Sequence, residues 1–299
     1  MKILYCTDLH LQYSNPVSRT DCYRESLYNK IQEVVQIGKD NKIGLLIFGG
    51  DFAHSPLIEF SFVKEYLLSL LQFQCLFVIG NHDYTGNFEL SRSKGLIGFL
   101  LDLGILVDKF EGDDVLVEAF HFLDQPDRKY IIQSDKLKIA AVHEMIVKDP
   151  YFGDYVLTKD VQTNAEFFLV GHYHSGFEKH VVNETTFINP GSLCRNSAIP
   201  DNFDRDLQII LIDAQLKTSN LVKLKNYQRD VFDVKKITRM KKTEKEFDQF
   251  IEKISGQNIL SKYDPIIIAE ELAKSIDVSK EVLREFKTRY EKARSLKGV

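Results

Sequence analysis

The sequence predicts an α/β fold in which two β-sheets pack face to face with helices outside. Three observations carry this expectation. Short apolar runs alternate with helical patterns over residues 1–104. Strand-like runs dominate from about residue 105. After residue 235 the pattern turns helical again, and the charge balance changes sign.

Each element has a local reason. Residues 3–6, Ile-Leu-Tyr-Cys, form the first strand. Residues 23–38 carry apolar side chains at Leu27, Ile31, Val34 and Val35, which is helical spacing. Residues 43–48 are a buried strand that ends at Gly49-Gly50. A helix over 57–71 follows, then a strand over 75–79 ending at Gly80, then a helix over 90–103 closed by Gly104. This β-α-β-α-β order argues for parallel strands with right-handed crossovers. Later strands are expected over 115–119, 130–132, 137–142, 167–170, 186–188 and 207–212, with short ones over 221–224 and 231–234. In the tail, Asp264-Pro265 starts a helix, with Asp as cap and Pro in the first turn. Asp277 or Ser279 caps a last helix running toward Arg294.

The length of 299 residues suits two domains, or one large domain with an appendage. The boundary falls at 235/236. Hydrophobic residues at 44% and charged residues at 27% exclude a disordered chain, a collagen-like chain and a disulfide scaffold. The net charge of −4 gives no global pull toward nucleic acid. A nucleic-acid enzyme of this composition needs local basic patches or bound cations. The charge is uneven: residues 236–299 hold 15 Lys/Arg against 11 Asp/Glu, so the tail is basic and the body acidic. None of the four cysteines forms a C-x-x-C pair, which reads as buried free thiols in a reducing compartment. The amino-terminal apolar run is too short for a signal peptide. No stretch approaches the roughly 18 apolar residues of a membrane span. A cytoplasmic location and no membrane partner are therefore expected.

The polar residues then become informative. Ligands of open α/β sheets collect beyond the carboxyl ends of the strands. The first strand runs into Asp8-Leu9-His10, and the second into Gly50-Asp51-Phe52-Ala53-His54. The third runs into Gly80-Asn81-His82-Asp83. The strand over 137–142 runs into His143, and that over 167–170 into Gly171-His172-Tyr173-His174. Six of the eight histidines lie at these ends. Singly, each piece reads as a turn or a loop histidine. Together, each after an apolar strand, they read as a metal centre.

This ordered set resembles the calcineurin-like metallophosphoesterase superfamily, over residues 1–213. The resemblance implies a four-layer α-β-β-α sandwich of two mixed sheets, followed here by a helical tail. It implies one metal held by Asp8, His10, Asp51 and His174. The other is held by Asp51, Asn81, His143 and His172, so that Asp51 bridges. Within the superfamily, Gly49-Gly50-Asp51-x-x-His54 is similar to the double-strand-break repair nucleases of the SbcD type. So are Ser18-Arg19-Thr20-Asp21 and Asn189-Pro190-Gly191-Ser192. Purple acid phosphatases need a Tyr where His54 stands. Ser/Thr phosphatases need Glu where Asp83 stands.

Two cations sharing a carboxylate orient and activate water against phosphorus and neutralise phosphoryl oxygens. The mixture of imidazole, carboxylate and amide favours manganese, iron or zinc over magnesium, and the nuclease resemblance favours manganese. His82 is expected to stabilise the transition state and protonate the leaving oxygen. Asp83 is expected to orient His82. His54 is expected near the phosphate, and Arg195 is a candidate phosphate contact. His121 and His180 fall in no motif and read as structural.

The expected function is a two-metal DNA exonuclease or endonuclease acting in repair or recombination, with little sequence preference and an SbcC-type coiled-coil ATPase partner. The alternative is a phosphodiesterase or phosphatase for small substrates. SbcD-type proteins usually carry a capping domain after the core. Residues 236–299 are too few for one, which leaves them as a partner-binding segment or a lid. The apolar faces there are Ile266, Ala269 and Leu272, or Val282, Phe286 and Tyr290. A homodimer is left open.

Overall fold

The computed structural model describes residues 1–84, 94–122, 124–151, 153–197, 200–233, 235, 238, 266, 269, 270, 273 and 278–297. The first elements are β1 (Lys2–Cys6), α1 (Tyr23–Asn41), β2 (Leu45–Phe48), α2 (Phe60–Leu70), β3 (Cys75–Phe77) and α3 (Leu96–Asp102). Strands follow: β4 (Lys109–Glu111), β5 (Val115–Phe120), β6 (Lys129–Tyr130), β7 (Leu137–Val142) and β8 (Ile146–Val147). Then come β9 (Val156–Leu157), β10 (Gln162–Thr163), β11 (Phe167–Val170), β12 (Phe177–Val182) and β13 (Thr185–Asn189). α4 (Pro200–Asp204), β14 (Gln208–Asp213), β15 (Thr218–Lys223) and α5 (Lys280–Lys297) complete the series.

The chain divides into two compact units, residues 1–232 and 233–299. The first is built on two mixed sheets, ordered β15-β14-β1-β2-β3 and β12-β13-β11-β7-β5-β4. In the first sheet β1, β2 and β3 run parallel, and β14 and β15 join antiparallel. In the second, β5, β7, β11 and β13 run parallel. Strand alternation sorts side chains to the two faces. Ile3, Tyr5, Leu45 and Ile47 meet Val117, Ile139 and Leu169 between the sheets. Leu4, Cys6, Leu46 and Phe48 face outward, onto Leu27, Ile31 and Val34 of α1 and Val63 and Leu67 of α2. Lys42, at φ 52°, ends α1.

The outer face of the second sheet is covered by short strands and loops among the described residues. Leu116, Ala140, Phe168 and Phe187 pack there against Tyr130, Ile132, Ile146 and Val156.

Several boundaries differ from expectation. α2 starts at Phe60 because Glu59 stays extended. β6 stops at Tyr130, and the Ile132 amide donates to Asn164 Oδ1 instead (2.9 Å). Of the expected strand over 231–234, residue 234 lies outside the described residues, and 231–233 hold one isolated bridge, between Phe232 and Arg19. Residues 90–93 of the third expected helix, the Asp264-Pro265 start, Leu272 and Asp277 lie outside the described residues. Ser279 acts as the cap, its Oγ accepting the Val282 amide at 3.4 Å. In the second unit Val282 and Phe286 are buried with Ala269 and Ala273. No helix of the described residues is long and apolar enough to cross a membrane.

Candidate metal centre

The ligand loops leave the carboxyl ends of β1, β2 and β3 in one sheet and of β7 and β11 in the other. Main-chain bonds lace the first two together. The Asp8 amide donates to Gly50 O, and the His10 amide to Asp51 O, each at 3.0 Å. The loop after β13 adds a clamp: the Leu193 amide donates to Thr7 O (3.0 Å) and the Cys194 amide to Asp8 O (3.2 Å).

Sharp turns are needed to aim these side chains. Asp8 (φ 55°), His10 (46°), Asp51 (52°) and His172 (71°) all sit in the left-handed region, which non-glycine residues rarely occupy. The close approach of the loops also demands glycine. A Cβ on Gly80 would lie 2.2 Å from Asp51 Oδ1, and one on Gly50 would lie 2.3 Å from His143 Nδ1.

The result is two groups of ligand atoms that share Asp51. In one, His10 Nε2 lies 2.9 Å from His174 Nε2, 3.4 Å from Asp51 Oδ2 and 3.8 Å from Asp8 Oδ1. His174 Nε2 lies 3.4 Å from Asp8 Oδ1. In the other, His143 Nε2 lies 3.4 Å from Asp51 Oδ2 and 3.3 Å from Asn81 Oδ1. His172 shares this group, its ring centroid 5.1 Å from that of His143. The seven expected ligands are thus brought together.

The donor set fits two divalent cations. Asp8 Oδ1 is buried and has no hydrogen-bond partner. Its sister Oδ2 is fixed by Thr7 Oγ1 (2.7 Å) and the His172 amide (3.1 Å). His143 Nδ1–H donates to Gly49 O at 2.7 Å, which leaves Nε2 as the ligand atom. Burial opposes charge on His143, but Asp51 and then Asp8 pull its pKa up to about 10, so without an ion Nε2 carries a proton that a bound cation displaces. Burial, aided by His143, pushes His172 down to about 4, so its ring is neutral at neutral pH. Burial favours the neutral form of Asp51, but His143 facing it outweighs this and its pKa falls to about 2.

His82 and His54 stand over the first group. Their rings stack at 5.0 Å, and the His82 ring lies 4.8 Å from that of His10. His82 Nδ1–H donates to His54 O at 3.0 Å, so Nε2 is the atom left to exchange a proton. The His54 side chain is exposed.

Asp83 has a different task from the one expected. It does not orient His82. Its Oδ2 accepts the amides of Asp51 (2.8 Å) and Gly80 (2.9 Å), and its Oδ1 those of Phe52 (3.1 Å) and Ala53 (3.3 Å). It shapes the loop that carries the bridging ligand.

Arg195 is not a phosphate contact. It is 1% exposed and donates to main-chain carbonyls of Asn202, Arg229 and Gln228. His121 is structural: its Nδ1 accepts the Ile79 amide at 3.0 Å. His180 lies on β12 and belongs to none of the candidate ligand groups among the described residues.

Sequence reasoning missed the support behind Asp8. Lys30 of α1 is fully buried and donates to Leu193 O at 3.0 Å. Arg205 Nη2 donates to Ser192 O and Cys194 O, each at 2.7 Å, and Arg19 Nη1 to Arg195 O at 2.8 Å. Four consecutive carbonyls of the clamp loop are therefore held by three cations. The Asn189-Pro190-Gly191-Ser192 turn was the sequence signal for this loop. Of its basic partners, Arg19 falls in the Ser18-Arg19-Thr20-Asp21 stretch, whereas Lys30 and Arg205 carry no local signal.

Comparison with known proteins agrees with this geometry. The family model described as the calcineurin-like phosphoesterase superfamily domain matches residues 1–207. No curated protein matches. Among solved structures, the chain is similar to a dimetal phosphatase from Danio rerio, at 9% identity and a TM-score of 0.44, covering 75% of this chain and 99% of that one. It is similar to a predicted phosphoesterase from Streptococcus pneumoniae, at 15% identity and 0.31, covering 75% and 97%. A hypothetical protein from Pyrococcus horikoshii follows, at 9% and 0.39, covering 95% and 96%. At these scores the assignment rests on the family match. The chain belongs to the calcineurin-like phosphoesterase superfamily and is a metal-dependent phosphoesterase.

Proposed function

We propose that the chain is a two-metal phosphodiester hydrolase that cuts DNA, as an exonuclease or endonuclease in repair or recombination. The observation that supports this reading best is the stacked pair His54 and His82, placed over His10. His54 belongs to the Gly49-Gly50-Asp51-x-x-His54 pattern on which the nuclease resemblance rests, and His82 to the Gly80-Asn81-His82-Asp83 turn.

Two divalent cations held by the seven ligands supply Lewis-acid activation of water and about +4 of local charge for the phosphodiester. Asp51 fixes the spacing of the two groups. His82, with Nδ1 tied to His54 O, presents Nε2 to the leaving oxygen and gives it a proton. His54 lines the approach. Nothing in this set reads a base, so sequence preference is low. Manganese is the activating metal of choice, with iron or zinc as alternatives.

The proposed partner is an SbcC-type coiled-coil ATPase, bound through the tail. Val282 and Phe286 are already buried within their own unit, so the partner must take other tail surface. Deleting 236–299 tests this in a pull-down. Unchanged partner binding overturns it.

One observation favours a second reading, a small-substrate phosphodiesterase or phosphatase. The body, residues 1–235, is acidic and repels a long polyanion. Manganese-loaded protein assayed on linear DNA beside a small chromogenic diester separates the two. Turnover of the diester with intact DNA overturns the nuclease reading.

A further inference from the structure

Tyr13 is a large aromatic side chain left 73% exposed, three residues beyond the ligand His10. Three residues of chain span at most about 11 Å, so the two Cα atoms lie no farther apart than that. The loop between them is tied to the ligand loops. The Leu11 amide donates to Phe52 O and the His54 amide to Leu11 O, each at 2.9 Å. The Tyr23 hydroxyl donates to His10 O at 3.4 Å, and the Tyr23 amide to Asn15 Oδ1 at 3.0 Å. Tyr13 packs on Arg24 and Phe62, in the first turns of α1 and α2. Both helices follow parallel strands and so begin at the carboxyl end of the first sheet, where the ligands lie.

The ring is held from beneath and open above. It meets Phe62 edge to face, with centroids 5.5 Å apart and planes at 60°. The Arg24 guanidinium lies 4.6 Å from the Phe62 centroid and 5.9 Å from that of Tyr13. Phe62 is buried, so packing accounts for it. Packing does not account for Tyr13, whose exposure leaves most of its surface to solvent. Arg24 is exposed too, and it adds positive charge beside the ring on an otherwise acidic body. An open aromatic face beside a guanidinium suits a nucleotide. The ring takes the π-face of a base, and the arginine takes a phosphate.

We infer that Tyr13 stacks a nucleobase of the substrate strand close to the phosphodiester at the metal centre, with Arg24 on a phosphate of the same strand. The inference rests on the DNA reading and deepens it, because it selects the form of the DNA. A base meets the face of Tyr13 only when it has left its own stack, so the strand that enters is single or frayed. Every base has a π-face, so the subsite adds affinity without adding sequence preference.

Binding to the manganese-loaded full chain tests it, with His82→Ala as the parent so that bound DNA is not cut. The probes are a labelled single-stranded oligonucleotide and an abasic strand of the same length, followed by fluorescence anisotropy. Adding Tyr13→Ala is expected to weaken binding of the base-bearing strand by roughly 10–100-fold and to leave the abasic strand unchanged. Tyr13→Trp is expected to bind both strands as the parent does. Arg24→Gln is expected to weaken both strands alike, since the abasic strand keeps its phosphates. Unchanged binding of the base-bearing strand by Tyr13→Ala, or an equal loss on both strands, overturns the inference. A loss in Arg24→Gln confined to the base-bearing strand overturns the phosphate contact. A parent that binds neither strand overturns this inference and the nuclease reading together. Tyr13-dependent binding by a chain whose wild type leaves DNA uncut overturns only the nuclease reading.

Discussion

The main-chain amide of Asp51 donates to Asp83 Oδ2 at 2.8 Å, across 32 residues of sequence. Each Asp83 oxygen accepts two amides, so the carboxylate has no face on which an N–H donor fits. Asp83→Asn puts an NH₂ against two amide donors in either orientation. Stability should fall by about 2–3 kcal/mol or more, measured by denaturant unfolding. Metal affinity should fall with it, because the bridging ligand rides on this loop. An Asn variant as stable as the wild type would refute this role.

His82 is tied through Nδ1 and is not one of the seven expected ligands, although its ring packs edge-on against that of His10 at 4.8 Å. Its amide, however, donates to Asp51 Oδ1 at 2.8 Å. His82→Ala keeps the amide and removes the ring. Metal content should stay at the wild-type level while turnover drops by roughly 10²–10⁴-fold. Loss of metal in this variant would show that the ring has a structural task instead.

The pair His10 and His174 brings two imidazole nitrogens to 2.9 Å, a separation that suits a shared cation. His174→Ala should lower the affinity of one ion by at least about 10–100-fold and leave the other in place. Metal analysis at limiting concentration should find one ion per chain. Retention of both would remove His174 from the ligand set.

Lys30 links stability to pH. Burial, followed by Arg19, Arg195 and Arg205, lowers its pKa to about 7. Below that value the buried ammonium is charged and its burial cost is fully present. As pH rises from about 7 toward the unfolded value, the unfolded chain holds a proton that the folded chain has released, so folding is favoured. Lys30→Met should therefore gain on the wild type in acid and lose that advantage by about pH 9, with a change of a few kcal/mol across the window. Parallel stability curves for the two proteins would show that Lys30 does not titrate in this range.

The ligand set was legible because each of its members follows an apolar strand within a few residues. Strand order and carboxyl-end position are local properties of the sequence. The support behind the set was not legible. Lys30 falls among the buried positions of α1, where an apolar side chain is the ordinary expectation, and its partner Leu193 is 163 residues away. Arg195 follows a motif turn, so its position suggested phosphate, yet its guanidinium faces inward onto carbonyls. Asp83 sits next to His82 in sequence, but the turn sends its carboxylate back to Asp51. The cover over the second sheet also went unread, since strands of two residues such as β8 and β9 have no detectable periodicity.

The left-handed backbone at Asp8, His10, Asp51 and His172 has a practical consequence for anyone dissecting the centre. Alanine is poorly tolerated at such angles, whereas asparagine adopts them readily. An alanine scan of these four positions would report misfolding under the guise of lost chemistry. Asparagine at Asp8 and Asp51 preserves shape and backbone preference while removing the charge. Those are the substitutions from which the role of each carboxylate can be read.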